Sequence, residues 1–118
     1  MKSTVIIGGG AAGLVACVFA AEHSDKVYLI EKNNKLGKKL RITGKGRCNI
    51  TNSAEIEDFF ANIPTNPRFL YSALYSFTNT DIINLLQTLG VKTKTERGGR
   101  VFPVSDNAHD VADALSRF

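Results

Sequence analysis

Gly8-Gly9-Gly10-Ala11-Ala12-Gly13 directly follows the apolar run Val5-Ile6-Ile7 and opens a segment with helical spacing. A Gly-x-Gly-x-x-Gly pattern says little alone, but between a strand and a helix it describes a phosphate-binding turn. Gly8 permits the tight turn, Gly10 has no Cβ to hold a pyrophosphate off the backbone, and Gly13 lets helix and strand pack closely. Ala11 and Ala12 fall in the first helical turn, where unpaired N–H groups and the positive dipole end face the phosphates. Glu31 stands 18 positions after Gly13 and 23 after Gly8, at the end of a second apolar run, Val27 to Ile30. A carboxylate about 20 residues beyond the turn accepts hydrogen bonds from the adenosine ribose. It also repels a 2′-phosphate, which disfavours NADP as the ligand of this half. Lys32, next in sequence, either counters charge near the adenine or is solvated.

A basic segment begins there. Lys32, Lys35, Lys38, Lys39, Arg41, Lys45 and Arg47 lie within 16 positions that hold no acidic residue, while the rest of the chain has 8 basic and 11 acidic residues. The chain is therefore locally basic, not basic throughout, and such a segment is either a solvated face or a polyanion contact. Its start beside Glu31 makes Lys38, Lys39, Arg41 and Arg47 candidates to neutralise a pyrophosphate or organise the loop over it. No Phe, Tyr or Trp falls between Lys32 and Asn52. That absence weighs against single-stranded nucleic acid, which is bound by basic grooves interleaved with aromatic stacking platforms.

Thr43-Gly44-Lys45-Gly46-Arg47-Cys48-Asn49-Ile50-Thr51-Asn52 has two glycines for close backbone approach and four short polar side chains. It suits a ring system with several carbonyls and ring nitrogens. Cys48 reads as a packing or backbone-donor position. A redox thiol activated by Arg47 is the other reading, but no resolving cysteine lies nearby. Cys17 reads as core, His23 as a helix-end dipole partner, His109 as solvent-facing, and Tyr71 with Tyr75 as packing residues. No residue is a convincing acid or base, so none is assigned to catalysis, and no metal-ligand spacing occurs.

The elements that must position these residues follow from periodicity. Val5–Ile7 and Val27–Glu31 read as strands and Ala11–His23 as the helix between them, one βαβ unit. Ala12, Ala16 and Ala20 form a small-residue ridge expected to lie on the sheet. Lys32–Asn52 reads as a loop of about 20 residues, a length that is usually functional or disordered. A second helix, capped by Asn52 or Ser53, carries Ile56, Phe59, Phe60 and Ile63 and ends at Pro64 and Pro67. A third carries Leu70, Ala73, Leu74 and Phe77. Thr78 and Asp81 fit a capping box for a fourth, ended by Gly90. Val91–Glu96 and Arg100–Val104 read as a hairpin around Arg97-Gly98-Gly99. Ser105–Phe118 reads as a fifth helix with Ala108, Val111, Ala112 and Leu115 inward.

The 118 residues are 43% hydrophobic, enough for one core without disulfide staples. Neither a membrane span nor a signal peptide is expected, which places the protein in the cytoplasm with free thiols. Only two parallel strands are legible, and a doubly wound fold needs at least three. The expected fold is therefore α/β, Rossmann-like and three-layered but incomplete: residues 1–118 form the N-terminal portion of a dinucleotide-binding domain.

The chain resembles the YhiN-type flavoproteins, also described as the aminoacetone-oxidase-like FAD-binding family, which includes a flavin-dependent reductase of dehydro-bile acids. The resemblance rests on Val5–Gly13, Glu31-Lys32, Leu36-Gly37-Lys38-Lys39, Thr43–Asn52 and Gly99–Ser105. Its most specific part is Gly-x-Gly-Arg-Cys-Asn-x-Thr-Asn, where Lys45 stands at a position more often occupied by a small residue. The resemblance implies FAD as the cofactor, whereas the glycine fingerprint alone does not separate FAD from NAD. It implies an FAD-dependent oxidoreductase, with NAD(P)H as reductant and a small or steroid-like organic substrate. It also implies that the remainder of the FAD domain and an inserted substrate domain are absent from residues 1–118. Gly8, Gly10, Ala11, Ala12 and Gly13 would hold the pyrophosphate and Glu31 the ribose. Lys32, Lys39, Gly46, Arg47, Cys48 and Asn49 would line the rest of the FAD. The alternatives are an NAD-dependent dehydrogenase domain, a non-catalytic, RNA-associated flavoprotein, and a fragment that alone binds nothing because its missing strands leave the site open.

Overall fold

The computed structural model describes residues 1–118. β1 (Ser3–Ile7) and β2 (Lys26–Ile30) pair in parallel, from Ser3 opposite Lys26 to Ile7 opposite Ile30. Parallel neighbours need a crossover, and α1 (Ala11–Ala20) supplies it. Ile6, Val27 and Leu29 turn toward the interior, while the alternate residues Val5, Ile7, Tyr28 and Ile30 are exposed. Parallel sheets are ordinarily covered on both faces; here α1 lies against one.

Three features of α1 differ from expectation. It ends at Ala20, and Ala21, Glu22 and His23 form a tight turn through N–H bonds to Cys17, Phe19 and Ala20 carbonyls. The alanine ridge does not meet the sheet: Ala12 and Ala16 are exposed, and Leu14 and Val18 are the buried residues. Close approach occurs one position over, at Gly13, where a Cβ would stand 1.7 Å from the Gly8 carbonyl oxygen. Cys17 is half-buried, not core.

The segment 32–52 is not structureless. Short 3-10 turns cross Leu40–Gly46, interrupted at Thr43–Lys45, and Gly37, Arg41 and Cys48 are buried. Thr51–Asn52 then form a short strand, β3, which the sequence pattern did not reveal. Asn52 does not cap the next helix. Its Nδ2 donates to the Gly98 carbonyl and its Oδ1 accepts from Ala54 N–H, so α2 (Ile56–Ala61) begins after Glu55. α3 (Tyr71–Ser76) is short and largely exposed, with only Leu74 half-buried; Phe60 packs against Tyr71 and Tyr75 with ring centroids 4.3 and 5.4 Å apart.

α4 (Asn79–Thr88) has the expected capping box, Thr78 Oγ1 accepting from Asp81 N–H and Asp81 accepting from Thr78 N–H. β4 (Thr93–Glu96) and β5 (Arg100–Pro103) form the expected hairpin, and β3 adds antiparallel to β5, giving the order β3-β5-β4. α5 (Ala108–Arg117) starts later than Ser105 because Asn107 is its cap, accepting from His109 N–H. Its inward residues are those expected, Ala108, Val111, Ala112 and Leu115, with Ala114 in addition. Ala108, Val111, Ala114 and Leu115 close on Leu14, Val18, Cys48, Leu86 and Val91, so the core lies where α1, α4, α5 and the 32–52 segment meet.

Candidate dinucleotide site

The turn between β1 and α1 is built as its glycines predict. Gly8 has φ +101°, a left-handed value that favours glycine, and its N–H bonds the Ile30 carbonyl at 2.8 Å. A Cβ on Gly10 would meet no protein atom within 4 Å. That open space lies at the start of α1, where Gly10 is the cap residue and no side chain caps the helix. Leu14 N–H, bonded to Gly10 O at 2.9 Å, makes the first intrahelical bond. The N–H groups ahead of it have no helical acceptor, so Ala11, Ala12 and Gly13 present donors and a positive dipole end to the space beside Gly10. An anion fits there, and a side chain at position 10 would fill the cradle.

Glu31 follows β2 and reaches back to this turn. Its Oε1 accepts from Gly9 N–H at 2.8 Å and its Oε2 from Asn33 N–H at 2.7 Å. The Asn33 N–H, then the Gly9 N–H, hold the carboxyl below the ordinary glutamate range, because both bonds favour the charged form. Each oxygen keeps acceptor capacity, so a diol at this spot would meet a fixed, ionised carboxylate.

Gly9, only a spacer in the sequence pattern, is the hub of the turn. It is buried, and a Cβ on it would stand 2.6 Å from Leu36 Cδ2 and 3.3 Å from the Glu31 side chain. Its carbonyl accepts from Gly37 N–H at 2.7 Å. The only sequence signal for this role was a third consecutive glycine.

The basic residues divide into two groups. Arg41 is not free for a pyrophosphate. It is 8% exposed, its Nε donates to the Leu36 carbonyl at 2.9 Å, and its Nη1 donates to Asp113 Oδ1 at 2.8 Å with His109 Nδ1 3.1 Å away. Arg47, expected to line the cofactor, is also engaged. Its Nη2 lies 2.6 Å from Glu96 Oε2 and 2.7 Å from Asp106 Oδ1, and its guanidinium carbon sits 3.9 Å from the Phe102 ring centre. A planar fork suits paired carboxylates and an aromatic face, and here it ties the loop to the β4–β5 hairpin. Lys94 joins through Asp106 at 2.7 Å and Glu96 at 3.3 Å. Lys32, Lys35, Lys38, Lys39 and Lys45 are all exposed, and none forms an ion pair.

Thr43–Asn52 folds on itself. Cys48 N–H bonds the Thr43 carbonyl and Arg47 N–H the Gly44 carbonyl, while a Cβ on Gly44 would come within 2.6 Å of Asn49 N. Cys48 has φ +61° and is 1% exposed. Burial pushes its thiol pKa up, against a smaller opposite pull from Thr43, so the idea that Arg47 activates it fails: the guanidinium serves carboxylates and the sulfur lies in the core. Asn49 and Gly46 remain exposed. A cleft of about 140 Å³ between α1 and this loop is lined by Ala11, Val15, Thr43, Cys48 and Asn49 among others, so Cys48 and Asn49 stand beside the first turn of α1. No group of histidine, cysteine and carboxylate side chains could hold a metal ion, and no helix is long and apolar enough to cross a membrane.

Comparison with known proteins agrees with this architecture. Residues 2–118 match the family model described as the HI0933-like protein Rossmann domain. The chain is 38% identical over 117 residues to a 3-dehydro-bile acid delta(4,6)-reductase of Clostridium scindens, covering 98% of this chain and 28% of that protein. It is 37% identical over 111 residues to a ribosomal RNA dihydrouridine synthase of Escherichia coli, covering 94% of this chain and 27% of that protein. A ribosomal RNA dihydrouridine synthase of Haemophilus influenzae is 32% identical over 114 residues, covering 97% and 28%. The chain thus spans just over a quarter of the length of the curated relatives it matches. With a parallel βαβ unit, the glycine turn and a match along nearly its whole length, the chain belongs to the HI0933-like Rossmann-domain family of FAD-binding flavoproteins.

Proposed function

We propose that this chain holds the ADP half of FAD in an FAD-dependent reductase that uses NAD(P)H to saturate a carbon–carbon double bond conjugated with a carbonyl. The observation that carries the reading is the pairing of an open, side-chain-free helix start at Gly10 with the ionised carboxylate of Glu31 bonded to Gly9. Gly8, Gly10, Ala11, Ala12 and Gly13 would receive the pyrophosphate and Glu31 the ribose hydroxyls. Lys32, Lys39, Gly46 and Asn49 would border the remainder, with Cys48 shaping the loop from beneath. When bound, FAD supplies the hydride-transfer chemistry, and the protein supplies orientation and electrostatics.

The choice of substrate chemistry draws on the relatives. A delta(4,6)-reductase of a 3-dehydro-bile acid and a dihydrouridine synthase differ in the size of what they act on. Both names describe saturation of a double bond conjugated with a carbonyl. The test is to purify the full-length protein, identify its released cofactor, and follow NADH and NADPH oxidation with conjugated enones. A colourless protein that cannot be reconstituted with FAD sinks the reading.

A second reading makes the acceptor a uridine within RNA, and five exposed, unpaired lysines within 14 positions favour it. Phosphate contacts of that kind give affinity that falls steeply with salt. Replacing Lys35, Lys38 and Lys45 together by Ala would then flatten the slope of log affinity against log salt by about 2. An unchanged slope for a ribosomal RNA fragment, or no RNA affinity at all, leaves the small-molecule reading.

A further inference from the structure

We propose that Arg41 is a positioning residue for the cofactor site, setting the Leu36–Gly37 segment against Gly9 and, through Gly9, fixing the Glu31 carboxylate. The inference rests on the reading of Glu31 and the glycine turn given above.

The path is continuous. On α5, Asp113 Oδ1 accepts from Arg41 Nη1 at 2.8 Å, and His109 Nδ1 lies 3.1 Å from the same nitrogen. Arg41 Nε donates to the Leu36 carbonyl at 2.9 Å, and Arg41 N–H to the Gly37 carbonyl at 3.0 Å. Gly37 N–H donates to the Gly9 carbonyl at 2.7 Å, and Gly9 N–H to Glu31 Oε1 at 2.8 Å. Leu36 also packs where a Gly9 side chain would be. The two faces of the Gly9 residue thus grip the 36–37 segment and the carboxylate. A guanidinium is suited to this place because one planar group bonds a carbonyl through Nε and a carboxylate through Nη. Lysine, a single point charge on a flexible stem, cannot do both in that geometry. Burial adds leverage, since a hydrogen bond shielded from water is not readily replaced by solvent.

Arg41 touches nothing that would belong to the cofactor. Its effect would be to keep Gly9 N–H and Glu31 in register with the phosphate turn, so that the carboxylate is already in place when the ribose arrives. Preorganisation of that kind raises affinity by lowering the ordering cost of binding.

The test uses the full-length protein with Arg41→Lys, Asp113→Asn and Glu31→Gln, singly and in pairs. Three quantities are measured: the FAD dissociation constant of apoprotein, the urea midpoint, and amide exchange at Gly37 in the apo form. Arg41→Lys should speed Gly37 exchange and weaken FAD binding about tenfold, the scale of one charge-assisted hydrogen bond. In the Glu31→Gln background the same change should cost threefold or less, because the group being positioned is already compromised. Asp113→Asn loosens the same guanidinium from its α5 end without opening a cavity. It should give a smaller loss with the same coupling, and it serves if Arg41→Lys does not fold. A purely structural Arg41 would lower the urea midpoint yet add independently to Glu31→Gln, and that result overturns the inference. Unchanged Gly37 exchange does so as well. If FAD binding depends on Glu31 but not on Arg41, the inference falls alone; if the wild-type protein binds no FAD, both fall.

Discussion

Gly13→Ala and Gly10→Ala separate what the turn does for the fold from what it does for the ligand. In the helix interior, Gly→Ala ordinarily stabilises by about 1 kcal/mol. At Gly13 the new Cβ would stand 1.7 Å from Gly8 O and 2.9 Å from Gly8 C, where real contacts are not under 3.0 Å. The helix and the turn must therefore part by at least about 1.3 Å. Gly8 cannot yield freely, because its N–H is bonded to Ile30 O at 2.8 Å. Overpacking of this kind costs about 1–3 kcal/mol and at times more; with backbone on the opposing side, the upper end applies. The steric term wins, for a net loss of about 2 kcal/mol. Gly10→Ala meets nothing within 4 Å and its φ of −83° suits alanine, so folding should change by no more than about 0.5 kcal/mol. Its methyl would nonetheless occupy the phosphate cradle, weakening FAD binding by at least about tenfold. Urea denaturation of full-length apoprotein gives the first number and FAD titration the second. An unchanged midpoint for Gly13→Ala refutes the close approach, and wild-type FAD affinity for Gly10→Ala refutes the placement of the phosphates.

Three further outcomes follow from the same geometry. Because Asn33 and Gly9 N–H groups hold the Glu31 carboxyl below its ordinary value, the ionised form should persist on acidification through about pH 4.3, the usual glutamate value. FAD titrations should therefore show constant affinity from pH 8 to pH 5, with the ribose contribution lost only below the ordinary range; a decline centred near pH 6 would exclude Glu31 as its cause. The Glu96 carboxyl, held low first by Arg47, and that of Asp106, held low first by Lys94, favour the folded state when charged. Their contribution is full above about pH 4–5, the unfolded values, and vanishes as pH falls through the lower folded values. Arg47→Met should lower the urea midpoint at pH 7 and flatten its decline between pH 5 and pH 3; parallel curves for variant and wild type would contradict this. Finally, Cys48, buried with its thiol pKa raised, should react with a thiol reagent only as fast as the protein opens. Rapid labelling of Cys48 in the native state would refute its core placement.

The parts of the fold legible in the sequence are those where one local rule acts undisturbed. Thr78 and Asp81 cap α4 as their spacing requires, and α5 shows its buried stripe plainly because its opposite face is polar. Gly8, Gly10 and Gly13 were legible because each answers a separate local demand, whereas the contacts of Gly9 with Leu36, Gly37 and Glu31 lie more than 20 positions away. What failed were readings in which a side chain had two possible uses. Asn52 could cap a helix or brace a hairpin turn, and the long-range bond to Gly98 decided the matter. Arg41 and Arg47 could face an anion or a carboxylate, and their partners Asp113, Glu96 and Asp106 lie 49 to 72 positions away, invisible to spacing. The alanine ridge of α1 misled because a helix approaches a sheet along its smallest residue, and Gly13 is smaller than Ala12 or Ala16.

The outer side of the β1–β2 pair has a practical consequence at the bench. Val5, Ile7, Tyr28 and Ile30 make an exposed, oily stripe on a parallel ribbon, the kind of surface that sticks to its own copies. Expressed as an isolated 118-residue polypeptide, the domain would clump under conditions in which a longer polypeptide that shields this stripe stays dispersed. Light scattering against concentration, with Ile7→Lys and Ile30→Glu as solubilising changes, would show how far these four side chains dictate its handling.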